Sequence, residues 1–251
     1  MKKIHSTGVT SLKPHDPAFC PKQWKLEYLD RKGTGSDAME KGKYFEFLCI
    51  GATADGQPVE PIYVNKGKDL NADYKAITEL AKQFKVVAKE MGLAVKQAQV
   101  YMETFTKGGT LDILADLNGR ECLVDLKYTE TKEDERWSEF GWANPENKDL
   151  FQAAHYVKLW HETTGNWLPF YYLVFGKSGW VKFIQVIITN EYFEKVYESR
   201  INNYLDYVEE MEQSGYPANP EYNKCRKCGV AKFCDSKATA PTVQKVYLTH
   251  E

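Results

Sequence analysis

Long apolar runs are missing from this chain of 251 residues. No stretch reaches the roughly 18 consecutive apolar residues that a membrane-spanning helix needs. Met1-Lys2-Lys3-Ile4-His5-Ser6 leads into no apolar core of the signal-peptide type, so a soluble, cytoplasmic protein is expected. Charge of one sign is also lacking: 33 Lys and Arg against 35 Asp and Glu leave a net charge of −2. That balance excludes a global basic field and confines any contact with a polyanion to local patches. No Gly-x-x-x-x-Gly-Lys-[Ser/Thr] loop occurs, which excludes an ATP-driven motor built on that motif. Internal repeats and low-complexity tracts are absent as well.

What is present suffices for a large core. With 43% hydrophobic and 14% aromatic residues the chain can fold as a single domain over residues 1–251. An N-terminal helical segment (20–51) and a Cys-rich C-terminal segment (216–251) are expected as its appendages. Basic residues gather at both ends. Residues 1–43 hold nine Lys or Arg against five acids, and Lys224, Arg226, Lys227, Lys232, Lys237 and Lys245 face only Asp235. Residues 191–212 carry seven acids against two bases, the mark of a solvated helix face turned away from phosphate.

Periodicity and punctuation give the elements. Helices are expected at Pro21–Lys32, Asp37–Gly51 and, strongly amphipathic, Asp73–Met91 with Gly92 as its stop. The Gly- and Pro-containing stretch Ala52–Leu70 reads as a loop with one short strand at Pro61–Val64. A strand at Ala94–Thr106 leads into a hairpin. A helix capped by Asn144, with Pro145 at its first position and Gly165 past its end, follows. A second hairpin (Phe170–Phe175 with Val181–Ile188) and a long helix capped by Asn190 and running to about Gln213 complete the order. The alternation predicts an α/β fold of α+β-like character, a mixed sheet flanked by helices.

The first hairpin carries the chemistry. Gly109–Leu117 and Arg120–Lys127 are joined only by Asn118-Gly119, the pair that a type I′ turn demands at its two positive-φ positions. With Leu117 opposite Arg120, Asp112 falls opposite Asp125 and Lys127 shares their face, while Leu111, Ile113, Ala115, Cys122, Val124 and Leu126 form the core face. Like charges facing each other across a ladder destabilise it. A hard cation between the carboxylates reverses that sign, so Mg²⁺ or Mn²⁺ is expected there.

Asp112, a hairpin and Asp125-Leu126-Lys127 resemble the D…(D/E)xK signature of the PD-(D/E)xK nucleases, and Gly109-Thr110-Leu111-Asp112-Ile113-Leu114 resembles their RecB-like branch. The resemblance implies a restriction-endonuclease-like core and metal-dependent hydrolysis of DNA phosphodiesters. It implies that Asp112, Asp125 and the Leu126 carbonyl hold the metal and that Lys127 orients water or stabilises charge on phosphorus. Gln152 and Tyr156, one helical turn apart, resemble the Gln-x-x-x-Tyr motif of the branch, in which the Gln orients the lysine or a phosphate and the Tyr lines the DNA path. Glu40-Lys41-Gly42-Lys43-Tyr44-Phe45-Glu46 resembles the family's first helix, with Glu46 where the family has a metal-binding His; Glu40 is the alternative ligand. Glu103 is expected to be an exposed strand carboxylate.

Six cysteines in a chain expected to be cytosolic should be reduced, so the close spacing Cys225-x2-Cys228-x5-Cys234 points to metal. Cys20 is the best fourth ligand, and the thiols suit either zinc or an iron-sulfur cluster. Cys49 and Cys122 sit in apolar runs and are expected in the core. The one-plus-three pattern is similar to the iron-sulfur staple of AddB-type and CRISPR-associated RecB-like nucleases, which implies a structural [4Fe-4S] cluster joining the two ends of the chain and their basic segments. The combined expectation is an exonuclease acting on single- or double-stranded DNA ends in phage or bacterial recombination and repair, with a recombinase or single-strand-annealing protein as partner. A CRISPR adaptation nuclease working with an integrase is the alternative. A non-catalytic DNA-binding scaffold subunit is the alternative of another class.

Overall fold

The computed structural model describes residues 3–33, 35–57, 59–64, 69–130, 142 and 144–240. Lys245 and the last part of the Cys-rich segment lie outside them. The chain divides into two compact units, Met1–Ser6 with Ser36–Ser199 and Thr7–Gly35 with Arg200–Glu251.

The first unit is built on a five-stranded sheet in the order β3 (Leu93–Glu103), β4 (Gly108–Leu117), β5 (Arg120–Thr129), β6 (Phe170–Gly176) and β7 (Val181–Val186). Every neighbouring pair is antiparallel except β5 and β6, which run parallel. A parallel pair needs a crossover connection, and α5 (Phe151–Thr164) lies within it. Two further strands, β1 (Tyr63–Val64) and β2 (Asp69–Leu70), pair with each other. The first of them is shorter than the expected Pro61–Val64.

Two helices cover one face. Helix α3 (Asp37–Ile50) starts where the Ser36 side chain accepts the Met39 N–H at 3.2 Å, and Gly51 ends it at φ 73°. Helix α4 (Ala72–Met91) starts on Asn71, whose side chain accepts the Asp73 N–H at 2.9 Å. Its buried positions Ile77, Leu80, Ala81, Phe84 and Ala88 follow the helical period and meet Ile113, Val124, Leu126 and Phe175 of the sheet in one core. Helix α5 covers the opposite face, burying Phe151, Ala154, Tyr156 and Leu159. The approach is close: a Cβ on Gly109 of β4 would stand 2.8 Å from Tyr156 Cε1, so only glycine fits there.

Three boundaries differ from the sequence reading. Asn144 makes no side-chain cap, and Pro145–Asn147 is a single 3₁₀ turn rather than the start of the helix. Helix α5 begins later, where Asp149 Oδ1 accepts the Phe151 N–H at 3.1 Å. The last long helix comprises α6 (Asn190–Tyr192), a π-helical turn at Phe193–Tyr197 and α7 (Glu198–Gln213). Thr189, not Asn190, caps it by accepting the Tyr192 N–H at 3.1 Å. After α1 (Ser6–Ser11), the helix expected at Pro21–Lys32 is α2 (Pro21–Trp24), in the second unit, prolonged by a π-helical turn at Lys25–Leu29.

Candidate active site

The turn residues Asn118 and Gly119 both adopt positive φ, 52° and 85°. Strands β4 and β5 pair from Leu117–Arg120 to Ile113–Val124 in the register read from the turn. The ladder ends one step short of Asp112 and Asp125. There the Asp112 carboxylate accepts the Leu126 N–H at 2.8 Å, so a side chain takes a backbone donor of β5. On the far side, Asp125 is in register with Tyr172 of β6.

The charged face is not an open surface. Asp125 is 1% exposed and Asp112 9%. Asp125 forms an ion pair with Lys127, not the diagonal Asp112–Lys127 pair that a surface hairpin would show. Burial and the neighbouring Asp125 and Glu46 charges push the Asp112 carboxyl well above its usual range. Burial raises Asp125 too, against the opposing pull of Lys127. Burial alone would lower the Lys127 ammonium, but the Asp125 and Asp112 carboxylates outweigh it and hold it above the ordinary lysine range.

Glu46 reaches this centre from α3. Burial first, then the Asp125 charge, lifts its carboxyl to about 7. Glu40, the alternative ligand, instead pairs with Lys43 at 3.7 Å. Glu103 is bonded by the Tyr101 hydroxyl at 2.8 Å on the exposed strand, away from the carboxylates of the centre.

Sequence reasoning passed over Gln99. It lies between Ala98, paired with Ile113, and Val100, paired with Leu111, and so stands across β3 from Asp112. Its backbone has φ 52°, a conformation that side-chain-bearing residues rarely adopt inside a strand. That twist accompanies a side chain whose Nε2 donates to Glu46 Oε1, leaving its own Oε1 buried without a hydrogen-bond partner. Only its place opposite Asp112 could have marked it in the sequence, and that place depends on a bulge between Val95 and Gln97.

The helical pair is together as expected: Gln152 Nε2 donates to the Tyr156 hydroxyl at 3.4 Å. Tyr156 is buried, and burial with the Asp125 and Asp112 charges raises its phenol far above the usual range. Two more residues gather beside Tyr172, the residue in register with Asp125. Trp142 packs on Tyr172 with ring centroids 4.6 Å apart, and the Lys148 ammonium lies 4.6 Å from the Trp142 centroid.

In the second unit, Cys20, Cys225, Cys228 and Cys234 are free thiols lining one cavity. The Asn219 N–H donates to Cys20 Sγ and the Ala238 N–H to Cys225 Sγ, each at 3.3 Å. Cys49 and Cys122 are buried in the first unit's core, where burial raises both thiols, Cys122 to about 11.

The donor chemistry of the first unit suits a hard cation: carboxylates from β4, β5 and α3, with Asp125 Oδ2 facing only the Lys127 ammonium and Gln99 Oε1 buried and lacking a hydrogen-bond partner. Among the described residues, however, no group of three or more His, Cys, Asp or Glu side chains forms a ready-made metal site, in either unit. The same residues contain no helix long and apolar enough to cross a membrane.

The fold class is therefore α/β, a mixed five-stranded sheet with helices on both faces. That fold recurs in the crystal structure of a protein from Eubacterium rectale named "Putative exonuclease". The two superpose with a TM-score of 0.64 at 19% sequence identity, covering 96% of this chain and 91% of that one. A second solved structure, that of SSO0001, gives a TM-score of 0.39 at 11% identity over 94% of this chain and 87% of that one, too distant to carry an argument. No family model matches the sequence, and no curated protein matches it significantly.

Proposed function

We propose that the first unit is a metal-dependent deoxyribonuclease of the PD-(D/E)xK type, RecB-like, acting on DNA ends. The observation that carries the reading is the buried Asp112 and Asp125 side by side on a hairpin with the Lys127 ammonium against them. Such a pair is costly without a cation. The fold it shares with a protein named as an exonuclease agrees with it.

Asp112, Asp125 and Glu46, with the Leu126 carbonyl, would hold Mg²⁺ or Mn²⁺. When bound, the ion supplies Lewis acidity, lowering the pKa of a water and offsetting charge at the phosphorus. The rest falls to the chain. Lys127 is held charged by its carboxylate neighbours, so at neutral pH it acts as a donor to a phosphate oxygen rather than as a base. The Leu126 N–H fixes Asp112, and the Gln99 amide fixes Glu46. Gln152 orients the Tyr156 hydroxyl, which stays protonated and can only donate or accept a hydrogen bond. In the second unit, a structural [4Fe-4S] cluster on Cys20, Cys225, Cys228 and Cys234, with zinc as the competing metal, belongs to the same proposal. The shared cavity and the N–H donors to two of the sulfurs support it.

The test uses one labelled DNA in two forms. With Mg²⁺ or Mn²⁺ the protein should shorten linear single or double strands from their ends and leave the covalently closed circle intact. Nicking of the circle would make it an endonuclease. Binding of linear DNA with no product under either metal would leave the scaffold alternative in its place.

A further inference from the structure

Lys148 follows the 3₁₀ turn Pro145–Asn147 and precedes α5, the helix that carries Gln152 and Tyr156. Its ammonium rests over the Trp142 ring, that ring packs on Tyr172, and the Lys127 ammonium lies 5.8 Å from the Tyr172 centroid. Two lysines thus flank one pair of rings, and the inner ring belongs to the residue in register with Asp125.

The other enclosed lysines of this unit are neutralised. Lys41 has Asp37, Asp73 and Glu130 within 3.0 Å, and Lys107 has Glu162 at 2.7 Å. Lys148 is different. Burial and the Lys127 charge both hold its ammonium below the ordinary lysine range, and no carboxylate among the described residues counters them. Among the described residues, this half-buried cation, repelled by a second cation and held by ring faces, thus has no counter-charge. An anion reaching both ammonium groups would reverse the balance.

The geometry points to Lys148 as a phosphate-binding residue, steadied by Trp142 and Tyr172 at the edge of the Asp112, Asp125 and Lys127 centre, where it takes the non-bridging oxygens of a phosphodiester beside the scissile one. This rests on the nuclease reading and assigns the strand's position within it. Trp142 and Tyr172 are positioning residues that set where the ammonium stands. The ligand is the sugar-phosphate backbone, so the contact is independent of base identity.

Two substitutions separate charge from packing. Lys148→Met keeps a long apolar stem over Trp142 and loses the charge, and Lys148→Arg keeps both charge and ring contact. Binding of an end-labelled oligonucleotide is measured across salt concentrations in EDTA, and KM and kcat are measured with Mn²⁺. Lys148→Met should flatten the slope of log K against log salt by about 0.7 for single strands or about 0.9 for duplex, one phosphate contact. It should also raise KM about tenfold, the size of one charge-assisted hydrogen bond, with kcat less affected. Lys148→Arg should stay near wild type, and the melting temperature should hold in both.

If the wild type cleaves and Lys148→Met keeps its slope and KM, the phosphate contact is overturned and the nuclease reading stands. Equal losses in the Met and Arg variants would show that the lysine only packs, which also overturns it. A wild type that neither binds nor cleaves would remove both readings together.

Discussion

His155 is completely enclosed on α5, with Nε2 3.2 Å from the Gly108 carbonyl and Nδ1 3.2 Å from the Tyr197 hydroxyl. A carbonyl only accepts, so Nε2 carries the proton and Nδ1 accepts from the tyrosine. Burial, helped by the Lys107 and His5 charges, lowers the imidazole to about 4 despite the Gly108 carbonyl. The unfolded chain takes up a proton at this residue below about 6.5, and the native state does so only near 4. Stability is therefore lost as pH falls through that window, by an amount on the order of 3 kcal/mol. Urea unfolding at pH 7 and at pH 4.5 should show this loss as a difference between the wild type and His155→Phe: the variant, less stable at pH 7 because it leaves two polar groups unpaired, should close the gap to the wild type as pH falls. A gap of equal size at both pH values would place the proton uptake elsewhere. Glu46 works in the opposite direction: with its carboxyl raised to about 7, the metal-free protein loses that group's contribution as pH rises from about 4.5 through 7.

At the scale of elements, what could be read in the sequence is what local chemistry decides. Asn118-Gly119 sets the register of β4 and β5, and the observed pairs follow it, because few other dipeptides accept two positive φ values in succession. Ser36 and Asn71 begin helices, and Gly51, Gly92 and Gly165 end them in the left-handed conformation, as their types allow. Helix α5 starts later than the sequence indicates because Asn144-Pro145 suits a 3₁₀ turn as well as an α-helix, and the helix proper begins at Phe151, whose N–H the Asp149 side chain accepts. Burial of the charged face was not legible either. Alternation marks a polar face, and its burial depends on residues distant in the chain, such as Tyr156 of α5 and Glu46 of α3. The same holds for Gln99, Trp142 and Lys148, which tertiary placement alone brings to Asp112, Asp125 and Lys127. Cys49 and Cys122, by contrast, lie in the core as their apolar neighbours indicate.

For the whole molecule, the two units divide the proposed chemistry between them. The carboxylates and lysines lie in the first and the four-cysteine cavity in the second. The proposed cluster on Cys20, Cys225, Cys228 and Cys234 would close a loop of roughly 200 residues, which in the chain-entropy model would stabilise the fold by several kcal/mol. Protein purified without oxygen should be brown and carry about four irons per chain. A colourless protein with stoichiometric zinc would put a zinc site in place of the cluster and leave the first unit's reading untouched. The central claim concerns the hairpin, and it is tested most directly by the rate at which Asp125→Asn releases nucleotides from end-labelled DNA in Mn²⁺. The substitution keeps the shape of a 1% exposed side chain and removes one of the two facing charges. The account predicts a fall of at least about a thousandfold, the scale of losing a transition-state contact worth about 4 kcal/mol, with the native fold and DNA binding retained. Turnover at the wild-type rate by a folded Asp125→Asn protein would contradict it.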